Sequence, residues 1–161
     1  MSSFNRRFCL LTPLALAACG FEPVYGPNGA GSALRNKVLV DAPDTEATYL
    51  LVRNLELTLG RAAVPDYRLA VAPTITEEGQ AVTAEGDITR YSLVGKANFS
   101  LTQFGTGTVL ATGDVENFTG YSATGSTVET LAAETDARER LMKILADQIT
   151  AQLYATPELG T

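Results

Sequence analysis

An α+β two-layer sandwich is the fold class this sequence predicts, with an approximately four-stranded, mostly antiparallel sheet carrying two helices on one face, in the order β-α-β-β-β-α. Three observations lead there. Residues 89–104 alternate: Tyr91, Leu93, Ala97, Phe99 and Leu101 share one side, and Ser92, Lys96, Asn98, Ser100 and Thr102 share the other. That is the pattern of a strand covered on one face only. Two other stretches, near 45–59 and 127–153, repeat apolar residues at the helical period instead. Laying two amphipathic helices over the apolar side of one sheet buries all three stripes together.

The elements follow in order. Lys37 to Val40 is a short β-branched run ended by Ala42-Pro43, a first strand. Asp44 or Thr45 then offers an N-cap oxygen, and Glu46 sits favourably in the first turn. Ala47, Leu51, Leu55 and Leu59 form a stripe closed by Gly60, which predicts a helix over about 45–59. Leu50 and Leu57 lie off the stripe, so this helix is expected to bury more than one side. Leu69, Val71, Pro73 and Ile75 alternate in a second strand, with Pro73 marking an edge or a bulge. Glu77-Glu78-Gly79-Gln80 reads as the turn after it.

The long strand from Thr89 to Phe104 comes next, and Gly105-Thr106-Gly107 gives a hairpin signal. Val109, Ala111, Gly113 and Val115 alternate in the return strand, and Phe118, out of phase, suggests a bulge. Ser126-Thr127-Val128-Glu129 is a capping box. Behind it Ala133, Ala137, Leu141, Ile144, Leu145, Ile149 and Leu153 make a long helical stripe that Pro157 stops. Glu139 and Lys143 have the spacing of a favourable i,i+4 pair.

The first nineteen residues have a different logic. Arg6 and Arg7 precede an apolar run from Phe8 to Ala17, the length of a secretory leader and too short to span a bilayer. Phe8 follows the arginines too closely for a twin-arginine signal. Leu16-Ala17-Ala18-Cys19 resembles a lipobox, the site where a bacterial prolipoprotein is acylated on cysteine and cleaved just before it. The bland alternative is an ordinary leader whose small-residue cleavage site happens to precede a cysteine. The lipobox reading divides the chain into a leader (1–18), a lipidated N-terminus and linker rich in glycine and proline (19–36), a folded domain (37–156) and a short tail (157–161). Gly20, rather than Asp, follows the acylated position, which favours the outer membrane.

Composition then narrows the chemistry. Arg6 and Arg7 leave with the leader, so the 143-residue remainder holds 10 basic against 18 acidic residues, a balance of −8. Such a chain has no electrostatic footprint for nucleic acid. Histidine is absent, Cys9 is discarded and Cys19 would be acylated. The folded body is therefore left without thiol, disulfide, histidine base or cysteine metal site. No metal-ligand cluster, phosphate loop or nucleophile elbow appears. Acidic pairs such as Glu85 with Asp87, or Asp114 with Glu116, read as a solvated face. No catalytic residue and no dissociable cofactor is expected; the covalent groups would be an N-acyl chain and an S-diacylglycerol on Cys19. On the polar face of the long strand, Arg90, Lys96 and Ser100 are candidate contacts for a lipid phosphate or a partner. Plain exposure to solvent is the alternative for all three.

The lipobox followed by Cys19-Gly20-Phe21-Glu22-Pro23-Val24-Tyr25-Gly26 resembles the start of alphaproteobacterial LptE proteins. The strand 90–103, its hairpin, Tyr121 and the helix 133–153 are similar to that family's C-terminal half. The resemblance implies an α+β sandwich seated as a plug in the lumen of the outer-membrane barrel LptD. There it would assist barrel assembly and lipopolysaccharide transport to the outer leaflet, without enzymatic activity. A second reading is a free, periplasm-facing lipoprotein that holds a small apolar ligand between helices and sheet. A third is an enzyme working with carboxylates alone.

Overall fold

The computed structural model describes residues 24, 26, 29–84, 86–156 and 159, with Val82 by its backbone only. Thr45 starts the first long helix: its hydroxyl accepts the Thr48 amide at 3.1 Å, and Gly60, at φ 78°, ends it. Among the described residues seven elements run in sequence: α1 (Ala30–Leu34), β1 (Val38–Val40), α2 (Glu46–Leu59), β2 (Tyr67–Val82), β3 (Ile88–Gln103), β4 (Val109–Ser122) and α3 (Thr127–Tyr154). The four strands form one sheet in the order β1-β2-β3-β4. β1 pairs parallel to β2, the other pairs are antiparallel, and α2 supplies the crossover that a parallel pair requires.

Both long helices lie on the same side of the sheet and touch each other. Between the layers, Leu51, Leu55, Leu59, Leu69, Leu93, Leu101, Leu141, Leu145, Ile149 and Leu153 are fully buried. α3 starts beside the β2–β3 hairpin and runs back along β4. Thr119 Oγ1 donates to the Ala137 carbonyl at 3.0 Å, and further down Gln152 Nε2 donates to the Asp114 carbonyl at 3.2 Å. The sandwich thus has two ends. One carries the β3–β4 turn, residues 35–37 and the 60–66 loop; the other carries the β2–β3 turn and the start of α3. The expected two-layer fold is the observed one.

Several local expectations change. Ala30–Leu34, in the stretch read as linker, is a short helix that buries Ala30, Gly31 and Leu34 and touches α3. Tertiary packing outweighs the weak helical tendency of glycine and serine there. Glu77-Glu78-Gly79-Gln80 is not a turn: Glu77 and Glu78 pair with Leu93 and Ser92 inside the ladder. The reversal falls at 83–87, where the Thr83 amide donates to the Asp87 carbonyl and the Gly86 amide donates to the Thr83 carbonyl, Gly86 sitting at φ 96°. The register slips between Gly79 and Ala81, so Gly79 and Gln80 mark an irregularity within a continuing strand.

Phe118 makes no bulge. It pairs in regular register with Val94 and points to the uncovered face; the slip in β4 lies at Leu110 instead. Pro73 does sit on an edge, in the part of β2 that three-residue β1 does not reach. Of the two off-stripe leucines, Leu50 is buried and Leu57 is 77% exposed, so α2 buries more than its stripe through Thr48, Leu50 and Val52. Lys143 pairs with Asp147 at 2.7 Å, while Glu139 faces Arg53 of α2 at 3.8 Å, so the expected Glu139–Lys143 pair is absent. Pro157 lies outside the described residues.

Candidate functional site: the open face of the sheet

Alternation in β3 sorts its side chains. The covered side receives Tyr91, Leu93, Gly95, Ala97, Phe99 and Leu101, and the other side receives Arg90, Ser92, Val94, Lys96, Asn98, Ser100 and Thr102. Register extends this second face across the neighbours: Ala70, Ala72, Thr74 and Thr76 from β2, and Thr112, Asp114, Glu116 and Phe118 from β4. No described element covers it. Arg90, Lys96 and Ser100 therefore do share one surface, but they do not converge. At about 3.3 Å per residue, Arg90 and Lys96 stand ~20 Å apart and Lys96 and Ser100 ~13 Å apart. One phosphate group cannot bridge them; an extended partner surface can.

Each candidate has its own surroundings. Lys96 Nζ lies 3.1 Å from Glu116 Oε2, both side chains more than half exposed, so the pair adds little to stability and opens readily. Ser100 sits between Ala70 and Thr112 and lines a shallow depression with Ala70, Ala72 and Asn98, where small side chains lower the floor of the face. Arg90, opposite Ser122, makes no ion pair among the described residues. Asp114 and Glu116 lie exposed on this face, and Glu116 is engaged by Lys96. Glu85 and Cys19 lie outside the described residues.

Sequence reasoning missed two features. Phe118, 69% exposed, stands beside Val94 and gives the polar face an apolar patch that runs from β3 to its β4 edge; its strand phase was the available signal. On the covered side, Tyr91 and Tyr121 stack with ring centres 5.2 Å apart. Close by, Arg138 binds Glu134 at 2.6 Å and approaches Glu77 at 3.9 Å. Burial, reinforced by the negative charge of Glu77, pushes the Tyr121 phenol up to about 12. This cluster ties the projecting part of β2 to α3. Among the described residues no group of side chains is arranged to hold a metal ion, and no helix is long and apolar enough to cross a membrane.

The chain resembles solved structures at low identity. A chain described as a lipoprotein from Caulobacter crescentus CB15 aligns with a TM-score of 0.65 at 21% identity, over 78% of this chain and 93% of that one. Rare lipoprotein B from Shewanella oneidensis aligns at 0.57 and 14% identity, over 74% and 93%. Lipoprotein B from Nitrosomonas europaea aligns at 0.57 and 15% identity, over 77% and 85%. At such identities these establish a shared fold. No curated protein sequence matches significantly. The family model for LptE, lipopolysaccharide-assembly, matches residues 25–153. That span holds every strand and nearly all of the helical structure, and the chain belongs to the LptE family of lipopolysaccharide-assembly proteins.

Proposed function

We propose that the protein is an outer-membrane lipoprotein, anchored through acyl groups on Cys19, that works as plug and assembly factor with an LptD-like β-barrel during lipopolysaccharide transport to the outer leaflet. Family membership supports the process, and the bare sheet face supports the mode. A four-stranded sheet with both long helices on one side leaves a wide, largely polar surface, suited to the wet interior of a large barrel. That uncovered face is the observation that carries the reading. Phe118 and Val94 on its β3–β4 side and the depression by Ser100 are the parts that dock, and Lys96 exchanges Glu116 for a partner carboxylate or a lipid phosphate.

The alternative of a small apolar ligand held between helices and sheet finds the space already filled by the fully buried leucines named above. Photocrosslinkers at Lys96 and Ser100 test the proposal in cells: adducts with a large barrel protein are expected. Adducts from the helical face at Leu57, with none from Lys96 or Ser100, would contradict it.

A further inference from the structure

One end of the sandwich gathers exposed apolar tips beside the chain's point of entry. Val64 is 78% exposed in the 60–66 loop, Phe104 is 47% exposed at the β3–β4 turn, and Val109 is 58% exposed just after it. Backbone bonds fix these two loops together. The Phe104 amide donates to the Asp66 carbonyl at 2.8 Å, and the Gln103 amide donates to the Thr108 carbonyl at 2.8 Å. Residues 36 and 37 join the same end: the Asn36 amide donates to the Leu59 carbonyl, and the Lys37 carbonyl accepts the Asp66 and Tyr67 amides. α1, five residues long, separates this end from Gly29 by only ~8 Å at 1.5 Å per residue.

The Val24 carbonyl accepts the Gly31 amide at 3.0 Å, which fixes the chain beside α1 five positions after Cys19. Five residues span at most ~18 Å fully extended. An anchor at Cys19 therefore holds this end, rather than the start of α3, against the bilayer. Three large apolar side chains on two bonded loops are what a water-facing tip would shed and a lipid interface would accept. Basic side chains ring the same end: Arg35 is exposed, Lys37 is held by Asp66 at 3.0 Å and Arg61 by Glu56 at 2.7 Å. Two of the three are neutralised within the chain, so apolar contact dominates.

We infer that the anchored end projects from the mouth of the barrel, where the 60–66 loop and the β3–β4 turn form a second, non-covalent membrane contact, with Phe104, Val64 and Val109 seated in the interfacial layer of the bilayer that carries the anchor. The inference rests on acylation of Cys19, part of the proposed function, and fixes which end of the molecule faces lipid. The chain has no tryptophan, so Phe104→Trp creates a single reporter. Full-length protein purified from membranes is reconstituted into vesicles of phosphatidylethanolamine and phosphatidylglycerol, with ordinary or brominated acyl chains. Leu131→Trp reports from α3 near its start, at the opposite end.

The expected result is blue-shifted F104W emission that brominated lipid quenches, while L131W stays solvent-like and unquenched. Val109→Trp repeats the reading should the turn not tolerate the larger ring at 104. Acylated, vesicle-bound protein in which F104W and V109W both emit like L131W would overturn the inference and leave the anchor standing. A shift that appears only when a co-purified barrel is present, without bromine quenching, would assign the surface to the barrel and overturn it too. Mass spectrometry of the N-terminal peptide reads acylation separately, and an unmodified Cys19 would remove both the anchor and the inference built on it.

Discussion

Gly95 shows how much of the packing turns on single positions. It pairs with Ile75 and Asn117 on the covered face, and an added Cβ would lie 2.9 Å from Leu141 Cδ2 and 3.1 Å from Leu145 Cδ1. The missing side chain lets α3 close onto β3. Gly95→Ala should cost about 1–3 kcal/mol through overpacking, read as a lower midpoint in denaturant unfolding; an unchanged midpoint would mean the helix rides further out. In the sequence this glycine is only a gap in an alternating strand, since its reason lies 46 positions on, at Leu141. Tyr121 is similar, because its environment comes from β2 and α3. Its phenol stays protonated in the fold up to about pH 12, whereas an unfolded tyrosine ionises near 10. The unfolded chain therefore holds fewer protons in that window, so stability is complete below it and falls as pH rises through it. Unfolding measured across that range should show a steeper decline for the native chain than for Tyr121→Phe.

Local signals stated whole elements correctly where the signal was complete within a few residues. The capping box forms in full: the Ser126 amide donates to Glu129 Oε2 at 2.7 Å and the Glu129 amide to Ser126 Oγ at 3.4 Å. Ser126→Ala should cost about 1 kcal/mol. The bond from Ser126 holds the Glu129 carboxyl below the usual carboxylate range. Its share of stability is thus present above that range and is lost as pH falls through the lowered value. The gap in unfolding free energy between native chain and Glu129→Gln should narrow on acidification; a constant gap would show that the carboxylate charge is not what caps α3. Strand ends and phases were less legible, because a partner strand decides them. Glu77-Glu78-Gly79-Gln80 has turn-like composition, yet fifteen register pairs with β3 keep it extended. Phe118 breaks the apolar phase only because it belongs to the uncovered face. α1 has no local signal; it exists because Leu34 and Ala30 find the core.

For the whole molecule, the long strand 88–103 and the two stripes made the two-layer architecture readable before any contact was known. The site was legible only in part. Alternation put Arg90, Lys96 and Ser100 on one face, but no pattern in a single strand could show that they spread along it rather than meet. Nor could it show that Phe118 would join them from β4. An uncovered sheet face over a filled core fits a protein whose work is done by contact. The most direct measurement of that claim is affinity purification of the full-length tagged protein from outer membranes, with mass spectrometry of what stays bound in detergent. A large barrel protein is expected near one-to-one, together with an acylated Cys19. Recovery of the protein alone, monomeric and lipidated, would contradict it.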